Sequence, residues 1–262
     1  MSRPPYAWAA AGAARIGASH LARDIPCQDA GCVWHGNDGT IIAAIADGAG
    51  SASNAAKGSF LATRAAARYI HDCMSSGRNP MPEELLNEAF HRARASIEEE
   101  VQKANDHDVY SLRSFATTLV VAVWTPRWFA AGQRGDGAVV IRDAAGELQT
   151  LVKPQNGTYA NQTYFLTDPV DQILSDVVIS EPVPMFALMT DGLTPLALVS
   201  PDDRPHPGFF EPIERFISSS ENRAQASRDL GDFLKSDRVN SRTDDDKTLY
   251  LAMLRPDRRA QA

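Results

Sequence analysis

The chain has 262 residues, a formal net charge of -7 and 44 % hydrophobic residues, enough for one large core, and no Pro- or Ser-rich linker divides it. Its Lys and Arg residues are scattered instead of forming a stripe, which argues against a nucleic-acid partner, and no run approaches the roughly 18 apolar residues of a membrane span. No basic segment leads into an apolar core at the N-terminus, and Cys27, Cys32 and Cys73 are odd in number without paired metal spacing, so one soluble, cytoplasmic domain in a reducing compartment is expected.

In chain order, Ile41–Ala46 is a short apolar run of the kind that forms a buried strand. Ser51 and Ser53 are placed to cap an Ala-rich helix over 55–73, with Phe60, Thr63, Ala67 and Ile70 on one face. A second helix is expected after Pro82, where Leu85, Leu86, Ala89, Ala93 and Ile97 recur at helical spacing. Strand-like segments over 117–124, 128–131, 138–141 and 148–152, separated by turn signals such as Gly135-Asp136-Gly137, read as an antiparallel meander. Segment 153–167 is polar, carries Pro154 and Gly157, and ends in an aromatic strand. It is expected to cover a site, with Tyr159 and Asn161 gripping substrate. Residues 185–190 form another apolar strand, 209–218 and 223–234 two helices, and Lys247–Leu254 a closing strand. Strands around helical pairs predict an α+β protein with antiparallel sheets inside and helices outside.

Three acidic clusters stand at the mouths of these strands: Asp47-Gly48 after 41–46, Asp191-Gly192 after 185–190, and Asp244-Asp245-Asp246 before Lys247–Leu254. Carboxylates gathered at strand ends repel one another and lose hydration unless a positive group binds there. A divalent cation is the simplest counter-charge, and oxygen ligands without His or Cys favour magnesium or manganese over zinc. Singly, each cluster reads first as a helix cap or a turn. Recurrence in one setting points to a shared site.

Asp47-Gly48-Ala49-Gly50, Phe115-Ala116-Thr117-Thr118-Leu119, Arg134-Gly135-Asp136-Gly137-Ala138, Thr190-Asp191-Gly192-Leu193 and Asp245-Asp246-Lys247-Thr248 follow one another in this order. The set resembles the ordered motifs of the metal-dependent protein phosphatase 2C family over roughly 8–254, with Gln28-Asp29 similar to its early acidic pair. Residues 157–167 are similar to a segment of a bacterial subgroup of that family.

The resemblance implies a four-layer α-β-β-α sandwich with two central antiparallel sheets. It also implies a serine/threonine protein phosphatase that hydrolyses phosphoserine and phosphothreonine with a water activated at a binuclear magnesium or manganese centre. Asp47 would bridge the ions, Gly48 would offer its carbonyl, and Asp191 and Asp245 would bind the outer sides, making these three aspartates catalytic. Asp136 resembles the ligand of a third, weaker ion shared with Asp191. Asp29 would bind through water and Asp246 would orient its neighbours, leaving Asp244 as a solvated loop charge. Phosphorylated proteins and a cognate kinase are the implied partners.

Departures from the pattern matter. Many family members carry His after the first Asp-Gly, where this chain has Ala49. His20 is then a candidate proton donor, or alternatively a structural histidine. The family's phosphate-holding Arg has Arg15 and Arg23 as candidates, each also readable as a surface charge. Two alternatives follow: a pseudophosphatase that binds phosphoproteins without turnover, and a haloacid-dehalogenase-type enzyme, since Asp244, Asp246 and Thr248 satisfy Asp-x-Asp-x-Thr. The second lacks the preceding apolar strand that such a nucleophile requires.

Overall fold

The computed structural model describes residues 7–77, 80–103, 111–155, 163–169 and 176–255. One five-stranded sheet has the order β1 (Trp8–Arg15), β12 (Lys247–Leu254), β9 (Met185–Met189), β6 (Ala138–Arg142), β7 (Leu148–Val152). The other runs β2 (Ala30–His35), β3 (Ile41–Ala46), β4 (Leu119–Trp124), β5 (Phe129–Arg134), β8 (Asp176–Ser180). All pairings in both are antiparallel.

Strand β3 shows why the layers form. Alternate side chains of a strand point to opposite faces. Ile41, Ala43 and Ile45 enter the layer between the sheets, against Trp8, Trp124 and Phe186. Ile42, Ala44 and Ala46 enter the layer beneath α2 (Ala55–Ser75) and α3 (Pro82–Lys103), with Ile70, Leu86 and Phe90. Both faces are covered, so the run is continuously apolar. Across the molecule, Ala187, Met189, Leu249 and Leu251 of the first sheet pack with Phe210, Ile213 and Leu230 of α5 (Pro207–Ser219) and α6 (Arg223–Leu234). The result is the expected α-β-β-α sandwich. At about 1.5–3 kcal/mol for each fully buried large apolar side chain, these three layers dominate the stabilising terms.

Smaller elements complete the chain: α1 (Ala18–Ala22), α4 (Thr194–Ala197), α7 (Asp237–Asn240), and the short β10 (Leu198–Val199) and β11 (Arg204–Pro205). Among the described residues, no helix is long and apolar enough to cross a membrane.

Several local expectations are corrected. The meander is two hairpins in different sheets, because β5 pairs with β4 and β8 while β6 pairs with β7 and β9. The chain crosses between sheets at Gly135-Asp136-Gly137. Gly135 has φ +128°, and a Cβ there would lie 2.5 Å from Thr118, so the crossing requires glycine. Asn54, not a serine, stands at the start of α2, without a side-chain cap bond. Phe60 is 51 % exposed under the Arg64 guanidinium instead of joining Thr63, Ala67 and Ile70 inside. Residues 164–167 form no strand, and Tyr159 and Asn161 lie outside the described residues.

Candidate metal centre

The carboxylates converge because the loops that carry them are tied together by backbone and hydroxyl groups. Asp47 follows directly on β3, and its carbonyl accepts bonds from the Thr118 N–H (2.8 Å) and the Thr117 hydroxyl (2.9 Å). Its own N–H donates to the Thr118 hydroxyl at 2.9 Å. Thr117 and Thr118 thus act as buried anchors for Asp47. Asp191 opens a 3-10 turn after β9. The adjoining Gly192 is dictated by crowding, since a Cβ there would sit 1.9 Å from the Asp246 carbonyl oxygen.

With these anchors set, one carboxylate oxygen each of Asp47, Asp136 and Asp191 lie within 4.8 Å of one another. Asp29 stands beside them, its Oδ2 accepting from the hydroxyls of Thr190 (2.8 Å) and Thr248 (2.7 Å). Asp245 flanks the group and accepts the Asp246 N–H at 2.8 Å.

Crowding shapes the electrostatics. Burial, then the charges of Asp29, Asp191 and Asp245, hold the Asp47 carboxyl well above the ordinary carboxylate range. Burial with Asp136, Asp245 and Asp29 pushes Asp191 up to about 8. Asp136 is raised chiefly by burial. Asp29 is raised to about 6 by burial, against the opposing hydroxyl bonds of Thr248 and Thr190. In the metal-free protein these folded carboxyls keep protons that the unfolded chain releases. Stability therefore falls as pH rises from the ordinary carboxylate range through about 8. A bound cation removes that cost.

The donor set fits a hard divalent cation. Among the described residues the cluster is oxygen-only, and Asp29 Oδ1, Asp136 Oδ1 and Asp191 Oδ1 are buried without a hydrogen-bond partner.

Asp246 points elsewhere. It is 1 % exposed; its Oδ1 accepts the Gly17 N–H at 2.6 Å, and its Oδ2 accepts the Gln28 N–H at 2.5 Å and lies 2.9 Å from His20 Nδ1. His20 is itself buried, so its place is in the support beneath residues 17–28. Asp244 is exposed and contributes its backbone carbonyl to the Ser19 N–H at 2.9 Å. With Asp246 committed to backbone donors ahead of an antiparallel final strand, the Asp-x-Asp-x-Thr reading fails.

The structure does not bring the two candidate arginines to the carboxylates. Arg15 lies on the helical side of β1 against α6, where a Cβ on Gly231 would meet its Nη2 at 1.7 Å. Arg23 is exposed and donates to the Ser19 carbonyl at 3.1 Å. Residues without an assigned role in the sequence prove to matter: Thr190 and Thr248 fix Asp29, and the Thr163 hydroxyl donates to Asp136 Oδ2 at 2.5 Å. A hydroxyl immediately before Asp191, and another two residues after Asp246, were the available signals for the first two.

Stacked antiparallel sheets between helical layers, with an oxygen-only carboxylate cluster where the loops meet, define a class of proteins suited to binding divalent cations. A family model for protein phosphatase 2C matches residues 16–235. The chain is 33 % identical over 255 residues to serine/threonine-protein phosphatase 3 of Escherichia coli (strain K12), covering 94 % of this chain and 98 % of the relative. Its fold is similar to the catalytic domain of the serine threonine protein phosphatase PstP in complex with 2 manganese ions, with TM-score 0.58, 16 % identity, and 95 % and 99 % of the two chains covered. It is likewise similar to Stp1 from Staphylococcus aureus, with TM-score 0.59, 14 % identity and 98 % of each chain covered. The chain belongs to the protein phosphatase 2C family and is a phosphoprotein phosphatase.

Proposed function

We propose that this single-domain enzyme hydrolyses phosphoserine and phosphothreonine in proteins at a binuclear magnesium or manganese centre built on Asp47, Asp191 and Asp245. The observation that carries the reading is the approach of Asp47, Asp136 and Asp191 oxygens to within 4.8 Å of one another. The relative crystallised with 2 manganese ions supports it. Cations held there supply Lewis acidity and lower the pKa of a water.

The protein's own residues set the geometry. Asp47, locked at its backbone by Thr117 and Thr118, would hold the cations with the Gly48 carbonyl beside it. Asp191 and Asp245 would hold the cations together with Asp47, while Asp136 with Asp191 would hold a third, more weakly. Asp29, fixed by Thr190 and Thr248, would act on a bound cation through water. Asp246 and His20 hold the 17–28 backbone. Phosphorylated proteins are the substrates, a cognate kinase their source, and the cytoplasm the setting, which three free cysteines support.

Phosphate release from a phosphoserine peptide is expected with manganese and is expected to vanish after exhaustive chelation and return on re-addition. Unchanged release after chelation would remove the metal mechanism, and manganese binding without release would favour the pseudophosphatase.

The register of the last cluster is a separate expectation. That the Asp245 charge raises the proton affinity of Asp47, Asp136 and Asp191 supports Asp245 as the ligand, whereas Asp244 is exposed. Asp245→Ala is expected to weaken manganese binding at least ~10-fold and Asp244→Ala hardly at all. Calorimetric titration checks this; equal affinities would put the ligand elsewhere.

A further inference from the structure

Residues 163–169 form a strap pinned at several points to the elements that carry the carboxylates. At its start, the Thr163 hydroxyl donates to Asp136 Oδ2 at 2.5 Å. The Arg134 guanidinium, on a side chain 4 % exposed, lies over the Tyr164 ring at 4.6 Å, and its Nε donates to the Phe165 carbonyl at 3.4 Å. Leu166 is fully buried; its N–H donates to the Thr117 carbonyl at 2.8 Å, and its carbonyl accepts from Arg94 Nη1 at 2.9 Å. Arg94 also donates to the Asp168 carbonyl. Because the Thr117 hydroxyl holds the Asp47 carbonyl, the strap reaches Asp47 through one residue and Asp136 directly.

The bond to Asp136 has a specific geometric consequence. A carboxylate has two oxygens, and Thr163 occupies one of them. The other, Asp136 Oδ1, is buried and has no hydrogen-bond partner. A free carboxylate could turn about its terminal torsion at small cost, since that torsion is broad. One held by a short hydroxyl bond cannot do so without breaking it.

We propose that Thr163 is a positioning residue for Asp136: its hydroxyl fixes one carboxylate oxygen so that the other is presented to the cation held between Asp136 and Asp191, tying the strap to that ion. The inference rests on the metal-centre reading above. Outer hydrogen bonds of this kind commonly carry ~10- to 100-fold in metal affinity. Nothing else in the strap contacts Asp136 among the hydrogen bonds of the described residues. The effect should therefore be confined to the Asp136 position.

Manganese titration calorimetry on the metal-free protein tests this, using wild type, Thr163→Val, Thr163→Ser and Asp136→Asn, with melting temperatures to establish folding. Val keeps the shape of Thr and removes the donor; Ser restores it. The expected result is that Asp136→Asn abolishes the weakest manganese site, Thr163→Val weakens that same site at least ~10-fold while leaving the tighter sites within twofold, and Thr163→Ser matches wild type. Should Thr163→Val misfold, Thr163→Ala replaces it with the same expectation. Weakening of all sites together, a tighter weak site, or affinities unchanged by Thr163→Val would overturn the proposal. So would a wild-type protein with no site sensitive to Asp136→Asn, which would leave the Asp47–Asp191 centre intact. No manganese binding at all by wild type would instead overturn the metal-centre reading itself.

Discussion

Replacing either Asp47 or Asp191 by Asn is expected to lower turnover on a phosphoserine peptide at least ~10²-fold, the scale of loss when a preorganised charge-stabilising group is removed. The amide keeps the shape and one oxygen but removes the charge that attracts the cation. The backbone of Asp47 is fixed independently of its carboxylate, by Thr117 and Thr118, so the loop should stay in place. Stability should move the opposite way from activity. Both carboxyls are pushed above the ordinary range by burial and by neighbouring carboxylates, Asp29 and Asp191 chief among them for Asp47 and Asp136 and Asp245 for Asp191, so the ionised form is disfavoured in the folded, metal-free protein. A neutral amide removes that cost, and the metal-free variants should melt at or above the wild-type temperature at pH 8. Steady-state kinetics together with melting curves check both arms. Wild-type turnover in a folded variant would remove that residue from the site.

The second large effect is structural. Asp246→Ala is expected to cost about 3–5 kcal/mol of folding stability, because removing one member of a buried, hydrogen-bonded charged set leaves the rest without partners. Here the groups left behind are the Gly17 and Gln28 N–H groups and the His20 ring. His20→Ala should be milder, because the carboxylate retains two backbone donors. Denaturant unfolding measures both. A change under about 1 kcal/mol for Asp246→Ala would mean the carboxylate is not holding the 17–28 segment.

Much of this was readable from the sequence, for physical reasons that differ by element. Strand β3 was legible because both of its faces are covered, which forces a continuous apolar run ending in Asp47. Helix α3 was legible because only one of its faces is buried, and Leu85, Leu86, Ala89, Ala93 and Ile97 mark that face. Strand β1 was not, since Ala9, Ala10, Ala11, Ala13 and Ala14 favour helix by propensity. Pairing with β12 and the narrow space on both faces override that preference. The assignment of β5 and β6 to different sheets was also invisible, because β5 is buried throughout and β6 up to Ile141, and periodicity carries no sheet identity.

At the site, the aspartates were visible as strand-end charges, but the division of labour between Asp245 and Asp246 depends on which way each side chain turns. The alternating pattern of a strand does not extend into the loop that precedes it. Chain position likewise suggested His20 as a proton donor and Arg15 as a phosphate holder, whereas in the fold the one sits against Asp246 and the other against α6. Thr163 was hidden because its contact with Asp136 spans 27 residues.

The most direct test of the central claim is the location of manganese in crystals of the protein grown with that ion, read from anomalous scattering. Peaks are expected within roughly 2.5 Å of carboxylate oxygens of Asp47, Asp191 and Asp245. Anomalous density that avoids Asp47 and Asp191, or a clean map at both under saturating manganese, would contradict it.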